Sequence, residues 1–111
     1  MNLPPILKNK MPALQNLCKR LGVKTLYIFG SAVSGKFNTS KSDLDLLVEI
    51  DEKDPIERGT RLMELNERLI KLFNREIDLL TTDSIQNPVL RENILRTKQL
   101  IYDRERSQIL Q

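Results

Sequence analysis

Two aspartates separated by a single leucine, Asp43 and Asp45, open the run Asp43-Leu-Asp-Leu-Leu-Val-Glu-Ile50. On an extended chain, residues two apart project from the same face with Cα atoms about 6.6 Å apart, so both carboxylates can address one ion. An acidic, solvent-facing strand would show the same pattern. A third acid, Asp78, stands between Ile77 and Leu79 in a run whose neighbours suit a core. An unpaired carboxylate there would be costly, and a third acid beside the first two would repel them unless cations were bound. A salt bridge to Arg75 is the structural alternative. Three aspartates are hard oxygen ligands of the kind Mg2+ takes, with waters and substrate phosphates completing its shell. Gly30-Ser31 could supply the phosphate holder. The dipeptide ends the β-forming run Lys24–Phe29 and begins a turn, where backbone N–H groups and a hydroxyl can face an anion. A Ser cap after a Gly turn is the bland reading of the same dipeptide.

Other chemistries are narrowed by what the chain lacks. It contains no histidine, which removes Ser-His and Cys-His nucleophiles and the usual zinc sites. The one cysteine, Cys18, cannot form an internal disulfide and shares helical spacing with Leu14, Leu17 and Leu21, the pattern of a buried thiol. The net charge of +3 is small and its basic residues are scattered. Aromatic residues are 5% of the chain, too few for base stacking along a basic patch, so nucleic acid is not expected as a partner. No signal-peptide pattern and no apolar run of membrane length are present, which predicts a cytoplasmic protein with no membrane partner.

The elements that must position these residues can be read from periodicity. Leu14, Leu17, Cys18 and Leu21 mark one helical face, with Pro12 suited to its first turn and Gly22 to its end. Strands are predicted over 24–29, 43–50 and 75–81, with Asp43 and Asp45 sharing a face of the second. From Pro55 onward, Leu62, Leu65, Leu69 and Leu72 repeat at helical spacing, and Glu64 with Arg68 and Glu67 with Lys71 are acid-first pairs on the outer face. Asn87-Pro88 opens a last helix over 89–98, followed by an extended Leu100-Ile-Tyr102. The order describes a single α/β (α+β) domain spanning residues 1–111, a small mixed β-sheet covered by helices.

Gly30-Ser31, an eleven-residue spacer, Asp43-Leu-Asp45 and a later strand bearing Asp78 resemble the nucleotidyltransferases of the DNA polymerase beta superfamily, and most closely their minimal group. The resemblance runs from Leu21 to Tyr102. It implies the nucleotidyltransferase fold, with Gly30 and Ser31 holding a nucleoside triphosphate, Asp43 and Asp45 binding metal and Asp78 completing the site. It departs at Ser34, where many relatives carry an arginine; Lys36 and Lys41 are the cations of that loop able to replace it at the phosphates.

What the resemblance implies for function is transfer of a nucleoside monophosphate to a hydroxyl, supported by two Mg2+ ions about 3.5–4 Å apart, with ATP as the donor. Short members of this group resemble antitoxins of HEPN-domain ribonucleases, some of which adenylylate a tyrosine of that toxin. The competing reading is a non-catalytic antitoxin that binds a nucleotide and masks its partner. An aminoglycoside-type adenylyltransferase ranks below both, because no second domain is present to enclose a small acceptor.

Overall fold

The computed structural model describes residues 5–34 and 43–106; Lys36 and Lys41 lie outside the described residues, as does the side chain of Ser34. Nine elements matter here: α1 (Pro5–Lys8), α2 (Met11–Arg20), β1 (Val23–Phe29), α3 (Ser31–Ser34), β2 (Leu44–Ile50), α4 (Pro55–Phe73), β3 (Ile77–Leu80), α5 (Pro88–Thr97) and β4 (Gln99–Asp103).

Capping chemistry sets where the long helices start. The Asp54 carboxylate accepts the Ile56 N–H at 3.1 Å, Pro55 takes the first turn, and Asn74 ends α4 in the left-handed region at φ 52°. Asn87 does the same for α5, accepting from the Val89 and Leu90 N–H groups at 2.9 and 3.2 Å. On α4, Leu65, Leu69 and Phe73 form the buried stripe, and Glu64 pairs with Arg68 at 3.3 Å on the outside. Cys18 is buried beside Leu14 and Leu17 on α2, and burial pushes its thiol up to about 12, which suits packing and not reactivity.

The four strands form one mixed sheet in the order β3-β2-β1-β4, in which β1 runs antiparallel to both β2 and β4, while β2 and β3 are parallel across the α4 crossover. The extended segment 100–102 is therefore a full strand, its Tyr102 opposite Leu26 of β1. One face of the sheet carries the larger core: Leu26, Ile28, Leu44, Leu46 and Val48 are buried against α1, α2 and α4. The other face has only a small apolar cluster of Phe29, Leu47, Ile85 and Ile94, closed by α5 and the short turn before it. Alternation along β2 puts Leu44 and Leu46 in the first core and leaves Asp45 and Leu47 on the second, thinly covered face.

Candidate active site

Strand order brings the three chemical segments to one end of the sheet. Because β1 and β2 are antiparallel, the end of β1 meets the start of β2, with Phe29 opposite Asp45. Because β2 and β3 are parallel, Asp45 lies opposite Asp78. Opposed residues on adjacent strands are about 4.8 Å apart, so the row Gly30-Ser31, Asp45, Asp78 crosses three neighbouring strands on one face. Asp43 lies immediately before β2, exposed, and is not part of the strand as the alternation argument assumed.

The half-buried acid is Asp45, whereas the sequence pointed to Asp78. β3 is an edge strand and Asp78 is exposed; Ile77, Leu79 and Leu80 are only half-buried. Asp45 sits on an interior strand, and desolvation, then the charges of Asp78 and Asp43, push its carboxyl up to about 6 from an ordinary 3.8. The Ser31 backbone N–H opposes this by donating to the Asp45 carboxylate.

Gly30 is required for two reasons. Its φ is +73°, a conformation other residues reach only with strain, and a Cβ there would run into the Asp45 carboxylate. The space its missing side chain leaves is thus occupied first by Asp45, and the turn from β1 into α3 locks the acid in place. Ser31 is half-buried at the start of α3.

The raised Asp45 carboxyl makes stability depend on pH in a definite direction. Between about pH 4 and pH 6 the folded chain holds a proton that the unfolded chain has lost, so stability falls as pH rises through that window. Asp45→Asn, which keeps the acceptor for Ser31, is therefore expected to raise the stability of the metal-free protein at pH 7 by about 1 kcal/mol after allowance for solvent screening. Denaturant melts at pH 7 and below pH 4 check this: the difference should vanish at the acid end.

Among the described residues no three His, Cys, Asp or Glu side chains are drawn into a closed cage for an ion. The donor set nonetheless fits Mg2+, which commonly takes one or two carboxylates and completes its shell with substrate phosphates and water. Mutually repelling, oxygen-only carboxylates with no histidine or free thiol beside them suit a hard cation.

Beside Gly30 the site continues into a groove of about 630 Å3 lined by Phe29, Gly30, Val33, Leu90, Ile94 and Gln99. Sequence reasoning assigned α5 no part in the site. The signal available was Val89 and Leu90, apolar residues that stand largely exposed at the start of that helix. A groove of about 970 Å3 between α2 and α4 lies on the helices that cover the opposite face and is lined by none of Asp43, Asp45 and Asp78.

Residues 13–107 match the family described as "Polymerase beta, Nucleotidyltransferase". The chain belongs to this polymerase beta nucleotidyltransferase family. Two relatives from Methanocaldococcus jannaschii bear the name protein adenylyltransferase. One is 38% identical over 80 residues, 72% of this chain and 76% of the relative; the other is 36% identical over 88 residues, 79% and 84% respectively. Among solved structures, a minimal nucleotidyltransferase superposes with a TM-score of 0.61 at 29% identity, covering 84% of this chain and 90% of that one. A toxin-antitoxin structure with AMP-PNP gives a TM-score of 0.62 at 20% identity over 90% of this chain and 78% of that chain. A Shewanella oneidensis complex of MNT antitoxin with tri-AMPylated HEPN toxin gives 0.53 at 18% identity, over 93% and 77%. These last two speak for the fold alone. In this nucleotidyltransferase Gly30-Ser31, Asp45 and Asp78 lie at one end of the sheet, with Asp43 just before β2. No helix among the described residues is long and apolar enough to cross a membrane.

Proposed function

We propose that this nucleotidyltransferase is a magnesium-dependent protein adenylyltransferase that moves AMP from ATP to a hydroxyl of a HEPN-type toxin, with tyrosine as the acceptor, and so acts as the antitoxin. The observation that carries the reading is the half-buried Asp45, held by the Ser31 amide against Gly30 and flanked by Asp43 and Asp78. Relatives named protein adenylyltransferase, and neighbours that pair MNT antitoxin with AMPylated HEPN toxin, support the donor and the partner.

In this reading Gly30 and Ser31 hold the triphosphate, with Lys41 as a further cation for it. Asp43, Asp45 and Asp78 hold the ions. Bound Mg2+ supplies charge neutralisation at the phosphates and a lowered acceptor pKa. The acceptor oxygen bonds to the α-phosphorus, the bond from that phosphorus to the β-bridging oxygen breaks, and pyrophosphate leaves with the electron pair. Asp78, exposed on the edge strand, takes the acceptor's proton. A tyrosine carrying AMP gains bulk and negative charge, which repels RNA phosphates from a ribonuclease site.

Ser31→Ala removes only the hydroxyl and leaves the amide on Asp45, so ATP affinity should fall by roughly 1.5–3 kcal/mol while the fold holds. Calorimetry of Mg·ATP binding checks it; a lowered melting temperature with affinity intact would reduce Ser31 to a helix cap. The reading as a whole is tested by incubating the protein, Mg2+ and ATP with the product of the adjacent reading frame and locating the added AMP by mass spectrometry. A single modified hydroxyl on that partner is expected. Neutralisation of the partner on mixing, with no AMP on any protein, would favour masking by binding.

A further inference from the structure

β3 closes one side of the sheet, and among the described residues nothing pairs with its outer edge. The Leu44 N–H donates to the Glu76 carbonyl at 3.1 Å, and Leu44 lies opposite Ile77. In a parallel ladder this turns the main-chain groups of Asp78 and Leu80 inward to β2 and those of Ile77 and Leu79 outward. Along that outward edge runs a groove of about 430 Å3, lined by Leu62, Met63 and Asn66 of α4 and by Ile77, Asp78 and Leu79 of β3. Met63 is 69% exposed there.

Reaction geometry says what approaches from this side. In-line displacement at phosphorus needs the attacking and leaving oxygens on opposite sides. In the proposed reading Gly30-Ser31 holds the leaving phosphates, and the row across the sheet runs from there through Asp45 to Asp78 on β3. An acceptor hydroxyl therefore arrives over β3, the outermost strand, and meets its unpaired edge.

Resting on the proposed adenylyl transfer, we infer that the acceptor polypeptide docks as an added β-strand along the edge of β3, bonding the Ile77 and Leu79 main chain. Its side chain opposite Asp78 then enters the site. Strand addition explains how so small a domain can position a flexible acceptor: main-chain bonds supply affinity without sequence, and the pleat alternates side chains between the groove and the site. A residue opposite Asp78 in such a pairing has its Cβ about 5 Å from that of Asp78, on the face that bears Asp45. Met63 and Leu62 would receive apolar side chains of the opposite phase.

The test uses the full chain, isotope-labelled, with a short capped peptide that alternates threonine and valine around a central tyrosine. The Ile77 and Leu79 amide resonances should move on titration, together with signals of Leu62 to Asn66, and the same peptide N-methylated along one edge should not move them. Met63→Trp, an uncharged change at an exposed position outside the catalytic set, should raise the peptide's KM at least about tenfold by filling the groove, with Mg·ATP affinity unchanged. Shifts at β4 or in the groove between α2 and α4, shifts that depend only on protein concentration, or no shift at either amide would each overturn the inference. AMP transfer to the peptide with KM unchanged in Met63→Trp would overturn it while leaving the adenylyltransferase reading intact. Edge binding without AMP transfer would also overturn it, since the bound strand would then not be an acceptor.

Discussion

Asp45→Asn is expected to lower nucleotidyl transfer by at least about a thousandfold while raising the melting temperature of the metal-free protein, and Asp43→Asn to cost a similar factor in rate. The amide is isosteric and still accepts the Ser31 N–H, so the turn after β1 survives. What disappears is a negative charge that the fold holds at a cost, between Asp78 and Asp43 and partly out of water. Opposite signs for activity and stability identify a residue kept for chemistry, since a structural acid would lose both together. Rate measurements at saturating ATP, alongside thermal melts of the same two variants, separate the cases. A variant that kept wild-type rate would remove Asp45 from the site.

The second large effect belongs to Gly30→Ala. The backbone there is left-handed at φ +73°, and the new methyl would have to displace the Asp45 carboxylate. Strain and clash together should cost about 2 kcal/mol, a fall of roughly 10 °C in a domain of this size. Transfer should be lost even at temperatures where the variant is folded, because the acid can no longer sit against the turn. Melts by circular dichroism, with activity measured well below the transition, distinguish the two losses. Full activity in a destabilised variant would confine Gly30 to a structural role.

The helical part of this fold was legible because its signals are local. The Leu62, Leu65, Leu69, Leu72 repeat, of which Leu65 and Leu69 are buried, the Pro12 and Pro88 first turns and the Glu64–Arg68 pair each follow from spacing along one segment. The identities of Gly30, Ser31, Asp43, Asp45 and Asp78 were legible as a motif, and the fold brings them to one end of the sheet. Which acid is buried was not, since Asp78 has the more apolar neighbours in sequence. Burial follows from strand order: β2 is interior, β3 is an edge, and that order is set by contacts far apart along the chain. The segment 100–102 was legible as extended, but its place as the strand β4 beside β1 comes from non-local pairing. Gly30 was legible as part of a candidate phosphate-holding turn, yet its missing Cβ first makes room for Asp45, a contact between residues fifteen apart that no local pattern encodes.

The most direct test of the account follows the two ends of ATP separately. The protein with Mg2+ and the product of the adjacent reading frame is given ATP labelled at the α-phosphate in one reaction and at the γ-phosphate in another. The α-label should become covalently attached to the partner and the γ-label should appear only in pyrophosphate, with both signals lost in the Asp43→Asn, Asp45→Asn double variant. Covalent γ-label, or α-label transfer that persists in the double variant, would contradict the assignment of this site to nucleotidyl transfer.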